Sequence, residues 1–112
     1  MNVSILTLTV TAAEALSANR GVTVGGAVPA AGAPIAGFTR TSGDIGDLVP
    51  VDAGGTVQAE AGAAIAAGAA VEVDALGRVV TNTTGTKVGR MAPGQPAATA
   101  SGQLVELIYI PN

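Results

Sequence analysis

The sequence predicts an all-β fold, a small barrel or sandwich of short glycine-turned strands, with at most one short helix near residues 12–19. Three observations predict it. Apolar and polar residues alternate with a period of two in several short runs, such as SILTLTVT at 4–11. Turn residues punctuate the chain at close, even intervals, as in TSGDIGD and DAGG. The alanine-rich stretch EAGAAIAAGAAVEVDALGRVV at 60–80 is interrupted by Gly62, Gly68 and Gly77, each of which would weaken a helix by about 1 kcal/mol. It also lacks an apolar stripe recurring at three and four.

In chain order, Leu6, Leu8 and Val10 alternate with Thr7, Thr9 and Thr11, the pattern of a half-buried strand. Thr11 and Glu14 stand at capping-box spacing and Gly21 suits a helix end, so 12–19 is either one short helix or a loop. Val22 and Val24 alternate before the Gly25-Gly26 turn. Pro34-Ile35, Phe38, Leu48-Val49-Pro50-Val51 and Val57 follow as short apolar groups separated by turns. Ile65-Ala66-Ala67-Gly68 reads as a tight corner leading into a strand at 70–74, where Val71 and Val73 alternate with Glu72 and Asp74. Alanine there keeps the chain thin where backbones pass closely. Arg78-Val79-Val80-Thr81 starts another strand. In the tail, Val105, Leu107 and Tyr109 share one face and Glu106, Ile108 and Ile110 the other, so this strand is central or covered by a partner chain. The chain divides into an N-terminal strand with a short helix or arm at 1–19 and a β-rich domain at 20–112.

An internal echo accompanies these elements. Gly26-x-Val28 matches Gly77-x-Val79, Gly37 matches Gly89, and Gly46-Asp47-Leu48-Val49 matches Gly102-Gln103-Leu104-Val105. Either such motifs recur by chance in a Gly/Val-rich β protein, or two similar β-units close one barrel.

Composition narrows function. Alanine and glycine supply 39 of the 112 residues, so large apolar side chains are scarce and the core is thin. Cysteine and histidine are absent, which excludes disulfides, the usual zinc sites and imidazole acid–base catalysis. Phe38 and Tyr109 are the only aromatics and net charge is −3, so neither base stacking nor a phosphate-binding field is available for nucleic acid. Apolar runs fall far short of the ~20 residues that span a bilayer, and MNVSILTLTV lacks the basic n-region of a signal peptide, so a soluble protein made in a cytoplasm is expected.

Candidate sites dissolve on inspection. Gly85-Thr86-Lys87 has the end of a phosphate loop but not its flanks, and reads as a solvated turn. Asp44, Asp47 and Asp52 are close in sequence, but Ile45, Leu48 and Val49 between them look like strand, so turn and solubility roles are expected rather than calcium. Glu72 and Asp74 read as an exposed acidic stripe. Arg20, Arg40, Arg78 and Arg90 read as surface or interface salt-bridge donors. No catalytic, cofactor-binding or metal-binding residue is assigned, no cofactor or small-molecule substrate is implied, and the chain is not expected to be an enzyme.

The stretch GFTRTSGDIGDLVPVDAGGTVQAEAGAAIAAGAAVEVDALGRVVT at 37–81, with GQLVELIYI at 102–110, resembles the capsid cement, or head decoration, proteins of tailed bacteriophages. The shared pattern is G-D-x-V-x-V, a glycine turn, A-G-x-x-I-x-x-G-x-x-V, then G-R-V, and the likeness covers about residues 20–110. The segment LSANRGVTVGG departs from it. The resemblance implies a β-rich virion protein, often a homotrimer, on the outer surface of the head, where it bridges major capsid protein subunits; no catalytic motif comes with it. It would be made in the bacterial host cytoplasm. Two alternatives remain: a phage tail or adaptor component, told apart by copy number per particle, and a carrier or ligand-binding barrel. The latter is suggested by the Ile65-x-x-Gly68-x-x-Val71 corner, but Lys87 lacks the flanks of a modified hairpin lysine.

Overall fold

In the computed structural model the backbone is described from Ser4 to Asn112 and side chains from Leu6 onward, so the first three residues of the predicted N-terminal region lie outside the described residues. Eight strands follow in chain order: β1 (Ser4–Thr11), β2 (Gly21–Val22), β3 (Gly37–Thr39), β4 (Leu48–Glu60), β5 (Ala70–Val73), β6 (Val79–Thr81), β7 (Gly89–Met91) and β8 (Leu104–Tyr109). They form one sheet in the order β2-β3-β4-β8-β7-β5-β6, with β1 also paired to β4, and every strand pair is antiparallel.

β4 organises the molecule. Its first half pairs with β1 and β3, and its second half, Thr56 to Glu60, pairs with β8. Beyond its end, Ala61 makes a parallel bridge to Val79 of β6, and the Gly62 amide donates to the Val79 carbonyl at 2.7 Å. That contact brings β4, β8, β7, β5 and β6 into a nearly closed barrel, which shields strand edges. The sequence predicted a turn at Asp52-Ala53-Gly54-Gly55. The strand instead runs on through these residues and bends, with Gly55 at φ +75° and register shifts in the pairing with β1. Pairing on both sides holds the segment extended where turn propensity alone would reverse it.

No helix forms at 12–19. Leu16 and Gly43 exchange backbone hydrogen bonds at 2.8 and 3.0 Å, and the Ala13 amide donates to the Gly26 carbonyl. The Glu14 carboxylate accepts from the Val28 amide, not from a helix N-terminus. Burying Ala12 and Leu16 outweighs the local capping signal.

Two apolar clusters fill the interior. The larger holds Phe38, Ile65, Val57, Val71, Met91, Leu107 and their neighbours inside the barrel; Phe38 meets Tyr109 edge-on, with ring centroids 6.2 Å apart. Ala59 and Ala61 are fully buried there, so small side chains do line the close approaches. The smaller cluster, Ala12, Leu16, Val22, Val49 and Val51, lies under the first half of β4, with Val10 and Val28 packed against it. β8 is central in the sheet: Val105, Leu107 and Tyr109 face in, while Leu104 and Ile108 are exposed. Val24, paired with Val22 in the sequence reading, is exposed on the turn.

The internal echo has a structural counterpart. Gly46 and Gly102 both adopt φ +89°, in the left-handed region that favours glycine. The next side chain then accepts a backbone amide from three or four residues back: Asp47 from Asp44, Gln103 from Thr99. The following leucine is exposed and the valine after it buried, in both β4 and β8.

Candidate functional site

The three aspartates do not converge. Asp47 caps its own turn, accepting the Asp44 amide at 2.9 Å. Asp52 is buried in β4, where it accepts Arg40 Nε at 2.7 Å and the Thr7 hydroxyl at 3.1 Å. Among the described residues, no group of three or more His, Cys, Asp and Glu is placed to hold a metal ion, and no helix is long and apolar enough to cross a membrane. Arg20 pairs with Glu60 at 3.3 Å and Arg78 with Asp74 at 3.2 Å, as expected of salt-bridge donors; Arg90 is exposed on β7.

Glu72 corrects the reading of an exposed acidic stripe. Its residue is only 8 % exposed because the loop at 82–85 folds over it. One carboxylate oxygen, Oε1, accepts from the Thr83 amide at 2.6 Å, the Gly85 amide at 3.1 Å, Asn82 Nδ2 at 3.2 Å and Thr83 Oγ1 at 3.4 Å. The Thr83 amide bond is the main cause holding the carboxyl below its ordinary value, against the opposing effect of burial; Gly85, the Thr83 hydroxyl and Asn82 add to it. Gly85, noted for its likeness to a phosphate loop, is a close-approach glycine: a Cβ there would lie 2.5 Å from Gly32 Cα and 2.8 Å from Glu72 Oε2. Lys87 is exposed beyond it. Asp74, half-buried, caps the 74–78 turn by accepting the Leu76 and Arg78 amides. Asp47, Asp52, Glu72 and Asp74 are therefore structural clasps, holding turns and strand contacts.

Among the described residues, an apolar cleft of about 510 Å³ opens where β1 overhangs the barrel. Leu6, Leu8 and Val10 form one wall; Val24, Ile35 and Tyr109 contribute to the other side, with Ala53 and Pro111. Leu8 stands opposite Val51 in the ladder, so it continues the face of the smaller cluster past the point where other residues cover it. The far wall is fixed by polar ties. The Tyr109 hydroxyl lies 3.1 Å from the Ala36 carbonyl and 3.3 Å from that of Ile35, and Asn112 Oδ1 accepts the Ile35 amide at 2.7 Å. Burial pushes the Tyr109 hydroxyl above its ordinary value, with the Asn112 contact working the other way. The period-two pattern identified Leu6 and Leu8 as apolar-faced but not as uncovered. Val24, Ile35 and Pro111 come from distant segments, and no local signal joins them.

The family described as phage cement protein matches residues 2–107. Among solved structures, the crystal structure of the head fiber gp8.5 N base in bacteriophage phi29 superposes with a TM-score of 0.73 at 21% identity, covering 94% of this chain and 93% of that one. At that identity the likeness shows the fold. No curated protein gives a significant match.

Proposed function

The chain belongs to the phage cement protein family, and from that premise we propose that it sits on the outer surface of the phage head and bridges neighbouring major capsid protein subunits, working as a homotrimer. A structural protein of the phage head is what the family match over residues 2–107 carries. A head fiber base of similar fold is consistent with an outward position. The physical case begins with the lean interior. A domain rich in alanine and glycine gains little per buried side chain, so a bound surface adds a meaningful share of its stability through mass action. A stable dock needs about 800 Å² from each partner. Many copies, each contributing a modest contact, would raise the resistance of the shell to internal pressure.

Cosedimentation of purified protein with empty heads tests the proposal. Binding to expanded heads and not to unexpanded precursors is the expected result, because bridging requires the final spacing of capsid subunits. Failure to bind either form overturns it.

A further inference from the structure

We propose that the turn carrying Ile45 and Leu48 is the surface by which this protein docks on a partner protein, and that the partner presents an apolar hollow rimmed by Lys or Arg. The inference deepens the head-binding proposal and rests on it. Among the described residues, Ile45 and Leu48 are 74 % and 72 % exposed, more than any other large apolar side chain except Val24. Neither belongs to the two apolar clusters of the interior, so folding gives no reason for large aliphatic groups there. Both stand on one short turn, where scattered single residues would need no explanation. The turn is rigid. Gly46 has φ +89°, the Asp47 amide donates to the Asp44 carbonyl at 3.0 Å, and the Asp47 carboxylate accepts the Asp44 amide at 2.9 Å. Little ordering is left to be done on docking.

Charge selects the occupant. The 12–16 segment runs beside the turn: the Ala12 amide donates to the Asp47 carbonyl, the Ala12 carbonyl accepts the Gly46 amide, and Leu16 and Gly43 bond in both directions. That register puts Glu14 opposite Ile45. Glu14, Asp44 and Asp47, all exposed, therefore flank the apolar pair. Among the described residues, Arg20, Arg40 and Arg78 pair with Glu60, Asp52 and Asp74, and no Lys or Arg pairs with these three. The chain has eight acidic and five basic residues; without Glu14, Asp44 and Asp47 it has five of each, so its net charge of −3 is matched by the carboxylates beside Ile45. A second copy would bring the same carboxylates, and a nucleic acid or an anionic membrane would bring phosphates; each is repelled. Among the described residues, these carboxylates are not grouped to hold a metal ion. A protein surface with Lys or Arg around an apolar hollow is attracted and oriented by the same field, and it can bury both aliphatic groups.

Quantitative cosedimentation of the full chain with expanded heads tests this. Wild-type affinity is expected to fall as salt rises from about 0.1 to about 1 M, over which the screening length shortens from about 10 to about 3 Å. Ile45→Ser is expected to weaken binding at least about 30-fold, as loss of a central apolar anchor does, and Ile45→Leu to restore it. Asp44→Lys combined with Lys87→Glu keeps the net charge at −3. It is expected to weaken binding about 10-fold and to flatten the salt dependence. Asp47, not Asp44, caps the turn, so this variant keeps the turn intact. Leu76→Ser, at an exposed position on a different turn, is expected to bind as the wild type does. Circular dichroism and melting curves confirm that each variant is folded. Folded Ile45→Ser and Asp44→Lys/Lys87→Glu proteins that bind as the wild type does overturn the inference and leave the head-binding proposal standing. Wild-type binding that is constant or strengthens as salt rises overturns the basic partner, and the inference with it. A wild type that binds no head removes both proposals.

Discussion

Replacing Glu72 separates a structural clasp from a solvated acidic residue. Its Oε1 gathers two backbone amides, a side-chain amide and a hydroxyl, and the residue is 8 % exposed. A hydrogen bond to a charged group contributes about 1.5–3 kcal/mol net, but Thr83 is exposed and Gly85 half-buried, so water can recover part of the loss. Glu72→Ala is therefore expected to cost about 2–3 kcal/mol near pH 7. Glu72→Gln keeps the acceptor oxygen without the charge, and charge-assisted bonds are about twice as strong as neutral ones, so about 1 kcal/mol is expected. With an unfolding entropy of about 2.1 cal/mol/K per residue, the alanine variant should melt about 8–13 °C lower. The sign of the pH dependence follows from the direction of the shift. The folded carboxyl titrates below its ordinary value of 4.5, so near that pH the unfolded chain binds more protons. The contribution of the carboxylate is fully present above 4.5 and disappears as pH falls through the folded value. Urea unfolding of wild type and Glu72→Gln across this range should give curves that differ near pH 7 and converge in acid. Equal stability near pH 7, or a gap that persists unchanged into acid, would refute the clasp.

Two further perturbations probe the core and the sheet. Phe38→Ala removes the sole phenylalanine, 1 % exposed and edge-on to Tyr109, and is expected to cost about 3–5 kcal/mol, or about 13–21 °C in melting temperature, whereas Phe38→Leu should cost about 1 kcal/mol; differential scanning calorimetry distinguishes them. Arg40→Ala takes a cation 2.7 Å from the buried Asp52 carboxylate and should cost about 1–3 kcal/mol in urea unfolding, while Arg90→Ala, exposed on β7, should cost under about 0.5 kcal/mol.

Strands with a clear period-two pattern were legible, whether their partners lay near or far: the run at 4–11 is β1, paired with the distant β4. The run at 70–74 and the one starting at Arg78 correspond to β5 and β6, and the tail strand expected at 105–110 is β8 at Leu104–Tyr109. Gly68, with φ +75°, turns the chain at the predicted corner. What failed locally failed for long-range reasons. The glycine pair at 54–55 signals a turn, yet β1, β3 and β8 hold the segment extended as one 13-residue strand. Period two places Glu72 on the polar face of β5, but whether that face meets water depends on the loop at 82–85. Alternation likewise reports that Leu6 and Leu8 share a face, not that the barrel ends before covering it. The cleft joins β1, the 24–36 segment, Ala53 and the C-terminal residues, and no window of sequence contains them together.

The repeated glycine device bears on the bridging role proposed above. Gly46 and Gly102 start β4 and β8 with the same backbone angle, the same side-chain cap and the same exposed leucine followed by a buried valine. Because the two strands run antiparallel, with Leu104 opposite Glu60, Leu48 and Leu104 come out at opposite ends of β4. The proposed bridging of two capsid subunits requires surfaces that do not compete for the same side of the molecule, and these two turns present similar apolar side chains at separate places. The cleft at β1 lies beside only one of these two strands, since β1 pairs with the first half of β4 and, among the described residues, no equivalent strand accompanies β8.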